Sequence, residues 1–164
     1  MELITVNISV YLYVLGLIPT FEGRYVVVVA AALHQSPAMA LTTALASVIT
    51  LSLVLPCIIP YIDVLAGKLQ SMRKPVISPL ASLYLTYVMK ARVKAEKYSR
   101  KYGFLGLTLF IAVPLPGTGI WTGTLGAYLL GIPRRQVVTA AVLGGALSVF
   151  TMFAATYPLI ELVT

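Results

Sequence analysis

The sequence predicts an all-α polytopic membrane protein: two inverted repeats, each a re-entrant helical hairpin plus a transmembrane helix, joined by a basic amphipathic helix. Its 164 residues are 59% hydrophobic and 10% charged, whereas about 25% of residues are charged in soluble domains. An interrupted hydrophobic block followed by a long one occurs twice, and most of the net charge of +7 lies between the two pairs. We therefore divide this single membrane domain into repeat 1 (1–67), a connector (68–102) and repeat 2 (103–164).

The first hydrophobic block, Ile4–Leu33, is broken in its middle by Pro19 and by the sequence Glu22-Gly23-Arg24. A charged side chain in the hydrocarbon core costs at least about 2.5–3.5 kcal/mol, so such residues are read as functional by default. We expect a new half-helix to begin after the break, at about Tyr25.

The block that follows, Ala38–Leu65, is long enough to cross the hydrocarbon core. The segment Lys68–Lys101 then carries nine Lys or Arg residues and one acid, Glu96. We expect residues 78–102 to form a helix in the membrane interface with its basic end near anionic headgroups. Its position between hydrophobic blocks indicates membrane lipids as the partner of this charge, and not nucleic acid.

The second half repeats the order of the first. An apolar segment from Phe104 leads to the break Pro114–Trp121, a half-helix should begin at about Ile120, and a final apolar run covers Val137–Leu162. At an offset of 96 positions Gly23 aligns with Gly119, and other identities follow in order along both halves. Interrupted hydrophobic segments at matching places in two halves favour an internal duplication and indicate a transporter-like site.

Charge distinguishes two topologies. Four plain spans would put nine of the eleven loop Lys and Arg residues on the cytoplasmic side, whereas two re-entrant hairpins and two crossings put all eleven there. We prefer the hairpins, which place 68–101 and 134–135 in the cytoplasm and both termini outside a multi-pass cell-membrane protein.

Backbone that leaves the helix at membrane depth is tolerated only inside protein or along a watery cavity, so we expect the two breaks to face one another. Two half-helix N-termini beside Arg24 would suit an anion. The predicted substrate-binding residues are Glu22, Gly23, Arg24, Pro116, Gly117, Thr118, Gly119, Trp121 and Thr122. Glu22 is also the proton-coupling candidate, because burial without the Arg24 charge would favour its protonated form. A purely structural ion pair and a plain helix kink remain alternative interpretations.

The sequence gives little support to an enzyme, a metal site or a cofactor-binding protein. The chain has one His, one Cys and five acidic residues, with no metal-ligand spacing and no nucleophile–base–orienter set. We therefore predict no enzyme, no metal and no cofactor, and a small amphiphile as the substrate. So few crossings enclose little space, and Gly144-Gly145 permits close helix packing, which together favour a homodimer.

The segment Pro114–Gly123, with its apolar flanks, resembles the signature of the putative small multidrug export protein family, and the resemblance covers most of the chain. That family is similar to the DedA superfamily, which implies two inverted re-entrant hairpins with an acidic residue and an arginine at the site. It also implies flipping of polyprenyl phosphate or phospholipids, often with proton coupling. By this resemblance Glu22 and Arg24 correspond to the acidic and basic positions of the first hairpin. Pro116, Gly117 and Gly119 correspond to the glycine-proline turn of the second hairpin.

The chain departs from DedA because residues 105–133 contain no arginine, so Arg24 is the only mid-membrane cation. Three hypotheses follow. The favoured one is a transporter of an anionic amphiphile, above all a lipid-linked phosphate. The others are an exporter of cationic hydrophobic drugs with Glu22 as counter-ion, and a non-transporting membrane assembly or scaffold protein.

Overall fold

The computed structural model describes residues 2–19, 21–71, 86, 103–115 and 117–161, and the regular structure within them is helical, with no strand. The helices are α1 (Glu2–Gly16), α2 (Glu22–Ala32), α3 (Pro37–Ser71), α4 (Gly103–Ala112), α5 (Ile120–Leu129) and α6 (Arg134–Glu161).

Two helices are long and apolar enough to cross a membrane, within Pro37–Ile62 of α3 and Arg134–Leu159 of α6. A 26-residue helix extends about 39 Å, against a hydrocarbon core of about 30 Å. Only 33% and 39% of their most apolar windows are buried, and large apolar side chains such as Leu53 and Phe150 are exposed. Apolar surface of this extent is suited to lipid contact, which agrees with a membrane protein.

The remaining helices are short. α1 has 15 residues, α2 has 11 and α5 has 10, and the interruptions fall at the two predicted breaks. α5 begins at Ile120, as predicted. α2 begins at Glu22 instead of about Tyr25, because the Tyr25 N–H donates to the carbonyl of the N-cap residue Phe21 at 3.3 Å and so closes the first helical turn around Glu22 and Arg24. The two charges therefore belong to the first turn of α2.

The long helices differ from their predicted limits. α3 continues past Leu65 to Ser71, and α6 starts at Arg134 instead of Val137. The predicted connector, 68–102, lies outside the described residues except for 68–71, which end α3, and Thr86.

Helices α2, α3 and α6 pack against one another, α1 packs on α2 and α3, and α5 packs on α3 and α6. Their shared core includes Val26, Val48, Ile120 and Val149, each at most 1% exposed. Small residues allow the close approach: a Cβ at Gly23 would lie 2.5 Å from the Ala44 carbonyl oxygen. This packing brings the first turn of α2 to the start of α5.

The glycine pair considered for a homodimer packs inside the chain. A Cβ at Gly144 would meet the Thr108 carbonyl oxygen at 2.6 Å, and one at Gly145 would meet Val48 Cγ1 at 2.7 Å. These glycines bring α6 against α4 and α3, so the homodimer stays a prediction that this pair no longer supports.

Candidate functional site

The two breaks meet at a buried ion pair. Glu22 and Arg24 are 3% and 4% exposed, and Arg24 Nη2 lies 3.3 Å from Glu22 Oε2. The desolvation of two buried charges is offset only when further hydrogen bonds satisfy both groups. Both receive such bonds from the second break.

The Glu22 carboxylate binds the N-terminus of α5. Its Oε2 accepts the backbone N–H of Ile120 and its Oε1 that of Trp121, each at 3.2 Å. The first N–H groups of a helix have no partner within the helix and carry a partial positive charge. Gly119, which precedes α5, has no side chain to cap them, so a carboxylate from the other half of the chain does so.

The Arg24 guanidinium binds acceptors between α4 and α5. Its Nη1 donates to the Val113 carbonyl at 3.1 Å and to Thr118 Oγ1 at 3.2 Å, and its Nη2 donates to the Thr118 carbonyl. Arg24 Cζ also lies 5.3 Å from the centroid of the Tyr25 ring, within the range of a cation–π interaction. The guanidinium thus compensates carbonyls that leave the helical pattern at the second break.

A turn presents these carbonyls to Arg24. The Thr118 N–H donates to the Leu115 carbonyl at 3.2 Å, and Gly117 has φ 82°. Pro then Gly at the two central positions is the sequence of a type II turn, in which the second central residue needs a positive φ. The Thr118 hydroxyl lies 2.6 Å from the Val113 carbonyl oxygen and 2.7 Å from that of Leu115, which fixes the turn from inside.

Two backbone positions at the pair are conformationally restricted. Gly119 has φ 119° and ψ −170°, and a Cβ there would overlap the Glu22 carboxylate and the Arg24 guanidinium. Glu22 itself has φ 43°, a left-handed conformation that costs a non-glycine residue about 1–2 kcal/mol. Strain of this kind is concentrated at functional sites.

The structure brings most predicted site residues together and separates a few. Glu22, Gly23, Arg24, Thr118 and Gly119 lie at the pair, with the backbone of Trp121. The Trp121 ring instead packs against the core. Its indole N–H and the Thr122 hydroxyl have no hydrogen-bond partner among the described residues. No described atom lies within 4 Å of a Cβ built on Gly117, and Pro116 is outside the described residues.

The sequence analysis missed Ser148 on α6. It lines the small pocket around the pair, is 2% exposed, and its hydroxyl has no partner in the described part of the chain. The pocket has no room for a water molecule. A serine in an apolar helix gives no sequence signal of such a position, because the other residues of the pocket come mainly from α2, α3, α4 and α5.

Among the described residues, no group of three His, Cys, Asp or Glu side chains is arranged to hold a metal ion. The Glu22–Arg24 pair and the backbone groups that it binds are the charged and polar groups assembled where the two breaks meet. These are the groups with which proteins bind and release anions or protons.

A family model described as putative small multi-drug export protein matches residues 22–151, which include the ion pair and the whole second break. The chain belongs to this family. The family description is that of an exporter, a transporter in general, and with the apolar helices it indicates a membrane protein. No curated protein matches the chain, and neither does any solved structure. The link from this export family to DedA stays a resemblance.

Proposed function

We propose that the protein transports an anionic amphiphile across the membrane, with a lipid-linked polyprenyl or phospholipid phosphate as the favoured cargo. The observation that carries this proposal is the seating of the Glu22 carboxylate on the Ile120 and Trp121 N–H groups beside Arg24. Backbone N–H groups at a helix start, together with a guanidinium, are what proteins use to bind phosphates and carboxylates. Glu22 thus holds the place that a cargo anion would take.

Transport would proceed by exchange. The cargo anion displaces Glu22 from the start of α5 and binds the same two N–H groups and Arg24. A proton on Glu22 would favour the exchange, because a neutral carboxyl is a weaker acceptor and no longer attracts Arg24. The acyl part of the cargo stays in lipid along apolar side chains that α1 and α4 expose, such as Val14 and Leu109.

For the membrane arrangement we propose two inverted halves, each with a re-entrant hairpin and one crossing. The support is the order of helices: α1 and α2 precede the long α3, and α4 and α5 precede the long α6. This arrangement keeps residues 68–101 and 134–135 in the cytoplasm and both termini outside.

Cysteine labelling tests the arrangement. In a Cys57→Ser background, a single cysteine replacing Thr164 should react with an impermeant thiol reagent in intact cells. Four plain spans would instead protect it until the cells are opened, and that result would overturn the inverted arrangement.

Lipid movement in proteoliposomes tests the cargo. We expect the protein to move a fluorescent phosphatidic acid between leaflets faster than the matching phosphatidylcholine. Arg24→Gln should slow it about tenfold or more, since hydrogen bonds to a charged group contribute about 1.5–3 kcal/mol. Glu22→Gln should keep the movement but remove its pH dependence.

Glu22→Gln combined with Arg24→Gln serves as the control for folding, because it leaves no unpaired buried charge. If this folded double variant moved phosphatidic acid like wild type, the ion pair would not be the cargo site. A cellular phenotype that survived the double change would then favour the scaffold hypothesis.

The family description favours a second candidate, an exporter of cationic hydrophobic drugs. Glu22 would then be the counter-ion of the drug. With tetraphenylphosphonium as the probe, this candidate requires export that Glu22→Gln abolishes and Arg24→Gln spares, the reverse of the result expected for an anion.

A further inference from the structure

A second cavity lies between α3, α5 and α6 and has a volume of about 370 Å³. Its lining shares no residue with the pocket around the ion pair. Its walls include Cys57 and Pro60 of α3, Thr124 of α5, Ile132, and Arg134 and Val137 of α6. Binding pockets for small molecules measure about 300–1,000 Å³ and combine apolar walls with a few polar groups, and this cavity fits that description.

The cavity is cationic. Arg134, the first residue of α6, contributes a guanidinium whose Nη2 donates to Cys57 Sγ at 2.6 Å. None of the described lining residues is acidic, and Arg134 forms no ion pair within the described part of the chain. The positive end of the α6 dipole adds to this charge. The cavity therefore favours a negatively charged group.

Thr124 supplies a second, independent indication of a ligand. The residue lines the cavity and is 1% exposed, and its buried hydroxyl has no hydrogen-bond partner among the described residues. A buried hydroxyl without a partner is costly, and an acceptor atom on a molecule in the cavity would remove that cost. The apolar walls formed by Pro60, Ile132 and Val137 would contact the remainder of such a molecule.

We propose that this cavity binds the phosphate or carboxylate group of a small amphiphile between Arg134 and Thr124. Thr124 lies one helical turn after Ile120, about 6 Å along α5, and the Ile120 N–H holds Glu22. An anion bound here is thus one turn from the place that Glu22 takes. The inference that cargo binds in this cavity before it reaches the place of Glu22 rests on the proposed function. The inference that the cavity binds an anion does not depend on it.

Cys57 reports directly on occupancy because it lines the cavity and is the only cysteine of the chain. The test measures its alkylation by N-ethylmaleimide in the full-length protein in phosphatidylcholine nanodiscs. Saturating hexyl phosphate should slow alkylation at least about threefold, whereas hexyltrimethylammonium should not. Arg134→Gln should abolish this protection. Arg135→Gln is the matched control: it removes the same charge one residue away, outside the lining, and should keep the protection.

Thr124→Val tests the hydroxyl without changing the charge or the shape of the wall. It should weaken hexyl phosphate binding about 2- to 10-fold, the value of one hydrogen bond. Broadening of the hexyl phosphate ³¹P resonance measures binding independently of thiol reactivity. It should appear with wild type and with Arg135→Gln and be lost with Arg134→Gln.

Equal protection by the two probes, or protection that survives Arg134→Gln, would show an apolar cleft and overturn the anion site. Absence of both protection and ³¹P broadening in wild type would also overturn it. The Glu22→Gln/Arg24→Gln double variant separates this inference from the proposed function. If hexyl phosphate protected Cys57 from alkylation in that variant, but wild type did not move phosphatidic acid between leaflets, the anion site in the cavity would be supported and the transport proposal would be overturned.

Discussion

The two breaks follow the same order of helices but contribute different chemistry. The first runs from Leu17 to Phe21 and leads directly into Glu22 and Arg24, so it supplies both charges. The second, Val113–Gly119, contains no charged residue. It supplies carbonyl groups and one hydroxyl to Arg24 and leads directly into α5, whose first backbone N–H groups bind Glu22. Each supplies hydrogen-bond partners to the other, although Arg24 Nε has none among the described residues. Two segments at the same place in the order of helices therefore contribute different groups to one buried ion pair.

The largest effect should come from the position where the breaks touch. Gly119→Ala adds a Cβ that overlaps both members of the ion pair, on a backbone with φ 119°. We expect the free energy of unfolding to fall by more than the roughly 3–5 kcal/mol that breaking a buried ion pair costs, because the backbone strain is added. Titration with a denaturing detergent measures it.

Gly117→Ala is the matched control for this prediction. Gly117 also has a positive φ of 82°, but no described atom lies within 4 Å of a Cβ built there. The backbone cost alone, about 1–2 kcal/mol, should remain. Equal losses for the two glycines would mean that contact with the ion pair contributes nothing.

The next largest effect should come from removing one charge of the first break. Arg24→Gln leaves the buried Glu22 carboxylate without its cation, which typically costs about 3–5 kcal/mol. Adding Glu22→Gln removes the remaining charge and should recover part of the loss. Detergent-induced unfolding of the two single variants and the double variant measures the coupling. Additive losses would contradict a direct interaction between the two side chains.

The breaks were predictable because their signals are local. Pro19, Gly23 and the Pro114–Gly119 segment interrupt apolar runs in the sequence itself, and α5 begins at the predicted residue. An ion pair between Glu22 and Arg24 was one of the alternative interpretations of the first break, and the structure places Arg24 Nη2 3.3 Å from Glu22 Oε2. The start of α2 was predicted at about Tyr25, three residues too late, because the Tyr25 N–H already bonds the Phe21 carbonyl and the first turn therefore begins at Glu22.

The occupant of the anion position was not predictable. The α5 N-terminus was predicted to bind a substrate anion, whereas in the structure it binds Glu22, which lies 98 positions before Ile120. Only the packing of α2 against α3 and α6 brings the two together. For the same reason Arg134 was interpreted only as a topology signal, although three helices assemble it and Cys57 into one cavity.

The smallest effect should come from the one side chain of the second break that binds Arg24. The Thr118 hydroxyl accepts from Arg24 Nη1 at 3.2 Å and from the Leu115 N–H at 3.3 Å. Thr118→Val keeps the shape and removes these bonds, while the Thr118 carbonyl still accepts from Arg24. We therefore expect a loss of only about 1 kcal/mol in the free energy of unfolding.

Thr122→Val is the control for this prediction. Its hydroxyl is buried without a partner in the described residues, so replacing it by a methyl group should be neutral or slightly stabilising. A larger loss at Thr122 than at Thr118 would mean that the second break is held by groups other than those that contact Arg24.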